Sequence, residues 1–212
     1  MAKVIMIPNG GFAQNCYLLV AADGRRAAIV DPGEESDTFL ARIESEKLEI
    51  EAIWLTHAHI DHVLGVGAIK EATGAPIYLH PADRVLYDAM PSQARAFGFQ
   101  VDPLPPPDHE LAHGDRLSLG AERFEVRLAP GHSPGSVCLV ADGYVLAGDV
   151  LFQGSIGRTD LPGGDFATLI TSIREQLLTL PDETRVLSGH GPPTTIGQER
   201  RTNPFLTGQF RG

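Results

Sequence analysis

Cysteine is close to absent from this chain: Cys16 and Cys138 are the two in 212 residues, each inside an apolar, strand-like run. That argues against a fold stapled by disulfides or a thiolate zinc site, and reads as two small buried hydrophobes compatible with a reducing compartment. Basic charge is scarce as well. Lys and Arg number 17 against 27 Asp and Glu, the formal charge is -10, and no run of Lys or Arg is long enough to form a basic stripe. Most of such a surface repels nucleic acid and anionic membrane. Long apolar runs are missing too: Met1-Ala2-Lys3 leads straight into Val4-Ile5-Met6-Ile7 and then Pro8-Asn9-Gly10-Gly11, too short for a signal-peptide core or a membrane span. The expectation is a soluble, cytoplasmic protein. There is no internal repeat and no low-complexity tract beyond a run of prolines.

What is present is the composition of a folded chain, 42% hydrophobic and 21% charged, enough for one globular domain or at most two small ones. Alternating apolar runs predict strands over residues 3–7, 15–21 and 26–30, a helix over 36–47 with Phe39, Leu40 and Ile43 on one face, a strand over 51–56, a helix over 63–73 stopped by Gly74, and a strand over 76–79. Residues 88–110 carry Pro91, Pro103, Pro105, Pro106 and Pro107 with Phe97 and Phe99 among them, and read as an irregular lid. Strands resume over 115–119, 123–129, 136–141 and 144–146; Asp165 caps a helix through Leu178, and a last strand covers 184–187. Two groups of strands separated by helices suggest a four-layer sandwich, with a three-layer α/β fold as the alternative.

The centre of the chain is Thr56-His57-Ala58-His59-Ile60-Asp61-His62, directly after the apolar Ile53-Trp54-Leu55. Three imidazoles and a carboxylate gathered this closely need a partner, and neutral imidazole with carboxylate suits zinc and its first-row neighbours. On an extended segment His57 and His59 share one side, while Asp61 and His62, at the turn into the next helix, can serve a second position. Three later stretches share one format, a strand followed by a ligand-type residue in a Gly-rich turn: Pro130-Gly131-His132-Ser133-Pro134-Gly135, Ala147-Gly148-Asp149 and Ser188-Gly189-His190-Gly191-Pro192. Each alone is an ordinary turn. Together with the histidine cluster they make a metal site.

In this order and context the residues resemble the metal-binding motifs of the metallo-β-lactamase superfamily, with Asp31 of Val30-Asp31-Pro32-Gly33 at its early aspartate. The resemblance spans nearly the whole chain and implies an αββα sandwich of two mixed sheets flanked by helices, formed by residues 1–212 as one domain. It implies two divalent ions, zinc first with iron or manganese as alternatives. His57, His59 and His132 would hold one, Asp61, His62 and His190 the other, and Asp149 both; Asp31 would orient the loop without ligating. Gly154-Ser155-Ile156-Gly157-Arg158-Thr159-Asp160-Leu161-Pro162-Gly163-Gly164 and the segment from Gly189 through Phe205 are most similar to the small glyoxalase II-like hydrolases. Full-length glyoxalase II carries a C-terminal helical domain that helps hold glutathione; with 22 residues after His190 here, the expectation is a chain without a separate domain of that kind.

The implied chemistry is attack by a metal-bridged hydroxide, with Asp61 holding the nucleophile by a hydrogen bond and no Ser or Cys nucleophile required. A thiolate leaving group, with a pKa of about 8.5, departs without a general acid, which favours an anionic thioester over an amide. Arg158 is the candidate for a substrate carboxylate, with an Arg158–Asp160 turn pair as the equal alternative. His80, His109 and His113 lack the Gly-turn context and read as packing or surface residues. Competing readings are a mononuclear iron persulfide dioxygenase, a superfamily hydrolase of lactones, β-lactams or phosphodiesters, and a metal-stabilised binding module; an open water position argues against the last. Oligomeric state is not legible.

Overall fold

The computed structural model describes residues 2–34, 36–98 and 100–209. The chain divides into two compact units, Met1–Leu111 with Ser118–Arg123, and Ala112–Leu117 with Phe124–Gly212.

In the first unit, β1 (Lys3–Asn9), β2 (Gln14–Val20), β3 (Arg26–Val30), β4 (Glu49–Trp54), β5 (Ile77–Leu79) and β6 (His109–Glu110) lie in that order in one mixed sheet. The β1–β2 and β2–β3 pairings are antiparallel, and β3–β4, β4–β5 and β5–β6 are parallel. Parallel neighbours require crossovers, which α1 (Ser36–Glu46) supplies between β3 and β4 and α2 (Ile60–Val63) with α3 (Val66–Thr73) between β4 and β5. Phe39 on α1 is fully buried, and it packs with Ile29, Ile53, Ile69 and Ile77 in the core of this unit.

Two sequence expectations change here. The single helix over 63–73 is two helices, and the first begins early enough to carry Asp61 and His62. The break falls at Gly65, whose N–H donates to Pro32 O at 2.9 Å, and a methyl on Gly65 would lie 2.4 Å from Gly33 O. Residues 88–110 are also less irregular than expected: α4 (Arg84–Asp88) is followed by α5 (Met90–Ala96), whose Pro91 sits in the first turn, where its missing N–H costs nothing. Met90 and Ala94 are buried. The proline run is tied down by Tyr87 Oη donating to Pro105 O at 2.7 Å and by Asp108, which accepts from Ile77 N at 2.8 Å and pairs with Lys70. Phe99 lies outside the described residues.

After β6 the chain, most of it in the second unit, runs through β7 (Arg116–Leu119), β8 (Glu122–Leu128), β9 (Val137–Ala141) and β10 (Tyr144–Gly148), a small antiparallel hairpin of β11 (Leu151–Phe152) and β12 (Ser155–Ile156), then α6 (Phe166–Ser172), β13 (Arg185–Ser188), β14 (Thr194–Thr195) and α7 (Ile196–Thr202). The second mixed sheet has the order β14-β13-β10-β9-β8-β7, with β10 parallel to β13. Asp165 caps α6 by accepting from Thr168 N at 2.7 Å, and the helix runs on into a π-helical turn over Ile173–Leu177. Cys138, Val145, Leu169, Ile173 and Val186 belong to this unit's core. The sequence reading stopped at the last strand and missed β14 and α7, although Thr195 three residues before Gln198 is a capping signal, realised as Gln198 N donating to Thr195 Oγ1 at 3.2 Å. Among the described residues no helix is long and apolar enough to cross a membrane.

Candidate metal centre

The first unit carries Asp31, His57, His59, Asp61 and His62. Strand β4 delivers the histidines, and β3 delivers Asp31 beside them. Asp31 has φ +52°, a left-handed backbone that aspartate tolerates better than most residues, and this conformation turns its carboxylate across the end of the sheet. Its Oδ1 accepts from Thr56 N at 2.7 Å, and its Oδ2 accepts from Thr56 Oγ1 at 2.6 Å and from His62 Nδ1 at 2.9 Å. The Thr56 hydroxyl proton is thereby committed to Asp31, so the Thr56 oxygen accepts from His57 Nδ1 at 3.1 Å. One carboxylate thus sets the tautomer of two imidazoles, making Nε2 the acceptor nitrogen of His57 and His62, the form in which imidazole ligates a metal. The donor atoms of Asp31, His57 and His62 lie within 4.8 Å of one another, and both Asp31 oxygens receive hydrogen bonds, an arrangement that suits a group orienting its neighbours.

The other side of the loop is held by a residue the sequence reading missed. Asp83, fully buried just after β5, accepts from Ala58 N at 2.9 Å. Since β3 and β5 flank β4, the loop after β4 is gripped from both sides, by carboxylates that replace the next rungs of the ladder. His80-Pro81-Ala82-Asp83 looks like an ordinary helix start; only its place beside β4 reveals it. Behind the loop, Gln14 donates through Nε2 to Asn15 O at 2.8 Å and Asp31 O at 3.3 Å. A methyl on Gly33 would lie 2.5 Å from Asp61 O, so the Asp31 turn and α2 meet backbone to backbone. His57, His59 and His62 are 1%, 8% and 0% exposed, and the rings of His57 and His62 are 4.0 Å apart by centroid.

In the second unit His132, Asp149 and His190 gather. His132 Nδ1 donates to Arg158 O at 2.8 Å, so the ring proton sits on Nδ1 and Nε2 is its acceptor nitrogen. Asp149 Oδ2 stands 3.5 Å from His132 Nε2 and 3.5 Å from His190 Nε2. These separations exceed a charge-assisted hydrogen bond of about 2.7–2.9 Å. They match the spacing of neighbouring donors around an ion: groups about 2.0–2.1 Å from a tetrahedral zinc are about 3.3 Å apart. His62 Nε2 and Asp61 Oδ2, at 3.7 Å in the first unit, are spaced alike. The residues present therefore fit divalent metal, with donors aimed and unprotonated on the correct nitrogen. Gly131 shows why glycine precedes His132: its φ is +126°, and a methyl there would lie 2.3 Å from Leu169 N.

Other candidates have ordinary partners. Arg158 forms a bidentate pair with Asp160, at 2.7 and 2.8 Å, on an exposed turn. His80 accepts from Ala82 N, with burial holding its pKa below the usual histidine value; His109 stacks on Tyr78, and His113 accepts from Leu128 N. Cys16 and Cys138 are buried and free, and burial pushes both thiols up, that of Cys138 to about 12, so neither is a nucleophile at neutral pH.

Comparison with known proteins agrees with this geometry. The family model of the metallo-beta-lactamase superfamily matches residues 9–190. The chain is 42% identical to hydroxyacylglutathione hydrolase GloC of Haemophilus influenzae over 208 residues, 96% of this chain and 98% of that protein. It superposes on the crystal structure of the BLEG-1 B3 metallo-beta-lactamase with a TM-score of 0.90 at 42% identity, covering 97% of this chain and 100% of that one. It superposes on the di-iron-bound form of TTHA1623 with a TM-score of 0.88 at 45% identity, covering 96% and 100%. The fold expected from the motifs is the fold observed, and the chain belongs to the metallo-β-lactamase superfamily of metal-dependent hydrolases.

Proposed function

We propose that this protein is a cytoplasmic hydrolase of anionic thioesters of the hydroxyacylglutathione type, working with two divalent ions. His57, His59 and His132 hold one ion, Asp61, His62 and His190 the other, and Asp149 both. The observation that carries the reading is the orientation of the imidazoles: hydrogen bonds at Nδ1 of His57, His62 and His132 place the ring proton on Nδ1, so Nε2 is the acceptor nitrogen of all three rings, the form in which imidazole ligates a divalent ion. The 42% identity to GloC along almost all of both chains supports the thioester class.

When bound, the ions supply an acidified water and an electrophile for the carbonyl. The chain's own work is to keep the right nitrogens unprotonated, through Asp31 and Thr56, and to keep the loop from shifting, through Asp31 and Asp83. Asp61 directs the water by accepting its hydrogen. The leaving thiolate needs no proton from the protein. Arg158 meets the substrate carboxylate by exchanging Asp160 for it, which suits a guanidinium on an exposed turn.

Zinc fits the donor set; iron does also, and TTHA1623 was crystallised in a di-iron-bound form. The persulfide dioxygenase alternative is disfavoured because Ile156 precedes Gly157 and Leu161 follows Asp160, where that relative carries Cys and Phe. Metal analysis with a panel of thioester, lactone, β-lactam and persulfide substrates tests the proposal. Turnover is expected on thioesters without oxygen uptake; oxygen consumption with a persulfide and an inert thioester would overturn it.

A further inference from the structure

The segment from Phe152 to Arg158 touches each of the three candidate ligands of the second unit by a different contact. The Phe152 ring lies edge-on to His190, with centroids 6.0 Å apart and planes at 83°. Gly157 packs on Asp149 so closely that a methyl would lie 1.9 Å from Asp149 O and 3.1 Å from His132 Nδ1. Arg158 O accepts the His132 Nδ1 proton. Whatever fixes this segment fixes all three ligands.

What fixes it is a buried carboxylate. Glu199 on α7 is 0% exposed and accepts three hydrogen bonds: from Gly154 N at 2.8 Å, from Thr194 Oγ1 at 2.6 Å and from Asn203 Nδ2 at 2.9 Å. Asn203 Nδ2 also donates to Ser155 O at 2.9 Å, so Glu199 and Asn203 together hold both the N–H of Gly154 and the carbonyl of Ser155. A carboxylate in an apolar interior is costly unless its oxygens are satisfied, and three short bonds do that here. Tethering a two-strand hairpin from a separate helix is a poor use of a buried charge unless the hairpin's exact placement matters.

We propose that Glu199, with Asn203, is a positioning residue for the metal centre: it acts through the Phe152–Arg158 segment to hold His132, Asp149 and His190 at ligand spacing. The assignment rests on the two-metal reading above, and extends it to residues outside the ligand set. Because His132 serves one ion, His190 the other and Asp149 both, loosening the segment weakens both sites in parallel.

The test measures zinc and cobalt binding to metal-free protein by competition with a chromophoric chelator, with the cobalt absorption spectrum as a report on ligand geometry. Glu199→Ala and Asn203→Ala are expected to bind both ions about 10-fold or more weakly and to alter the cobalt spectrum, as outer hydrogen-bond partners do. Arg200→Ala supplies the control. Arg200, on the same helix, donates to Leu178 O and Leu180 O and pairs with Asp182, partners that lie outside the hairpin, so its loss is expected to lower Tm with wild-type metal affinity. If Glu199→Ala does not fold, Asn203→Ala still reads the tether. Folded variants with wild-type affinity and spectrum would overturn the proposal while leaving the metal centre intact, as would an equal loss in Arg200→Ala. A wild-type protein that binds no metal would instead remove the two-metal reading itself.

Discussion

The two sets of candidate ligands are held in opposite ways. In the first unit four of them lie within six positions on one loop and the start of α2, and carboxylates from the flanking strand ends, Asp31 and Asp83, grip the loop's amides directly. In the second unit three candidate ligands lie far apart in sequence, and the segment from Phe152 to Arg158 lies against all of them, itself tied to Glu199 through Gly154 N. The first arrangement concentrates its geometry in a few buried hydrogen bonds; the second spreads it over backbone packing. Polar anchors fail by graded amounts when one bond is removed, whereas close backbone packing fails abruptly when one atom is added.

Substitutions that add or remove single groups break this comparison in a defined order. Gly157→Ala is expected to be the most damaging, costing about 3 kcal/mol or more, because its methyl would collide with the Asp149 carbonyl and neither backbone can yield cheaply. Chemical denaturation of the metal-free protein checks it, and wild-type stability would show that the segment at Gly157 is freer than its packing implies. Asp31→Ala should fold, yet bind metal about 10- to 100-fold more weakly, since His62 loses its acceptor and Thr56, the partner of His57, loses the group that commits its hydroxyl proton. Competition titration measures this. Asp83→Ala leaves the Ala58 N–H buried without its carboxylate, at a cost of about 1–3 kcal/mol, and Asp83→Asn should recover part of it because an amide oxygen still accepts. The smallest effect belongs to Asp165→Ala at the cap of α6. Hydrogen bonds from the Thr168 side chain and backbone hold Asp165 below the usual carboxylate pKa, so its contribution is fully present above the ordinary aspartate value and disappears as pH falls through the depressed one. The Tm difference between wild type and Asp165→Ala should shrink toward zero in that acid range; a difference that persists would mean the cap works without its charge.

The same contrast explains what could be read from the sequence. Alternation and turn residues revealed both sheets, and the motifs revealed the fold family, because strand periodicity and metal-type residues are local signals. Boundaries that depend on contacts were not local: α2 begins at Ile60 and stops where Gly65 meets Pro32, which no helical pattern in that stretch announces. In the site, His57, His59, Asp61 and His62 stand out as residue types, and His132, Asp149 and His190 stand out once read together. Asp83 did not, since an isolated carboxylate in a helix-like stretch looks like surface until the fold buries it, and Glu199 stood out as part of a family-like segment with no task attached to it. Arg158 was weighed for its guanidinium, but its structural task belongs to its backbone carbonyl, a group every residue carries.

Metal content of the replete protein and of two ligand variants tests the central claim most directly. The wild type is expected to hold two ions per chain, Asp149→Ala to lose affinity for both together, and His190→Ala to retain one ion with reduced thioester hydrolysis. A wild type that holds a single ion, with full thioesterase activity in His190→Ala, would contradict the two-metal account.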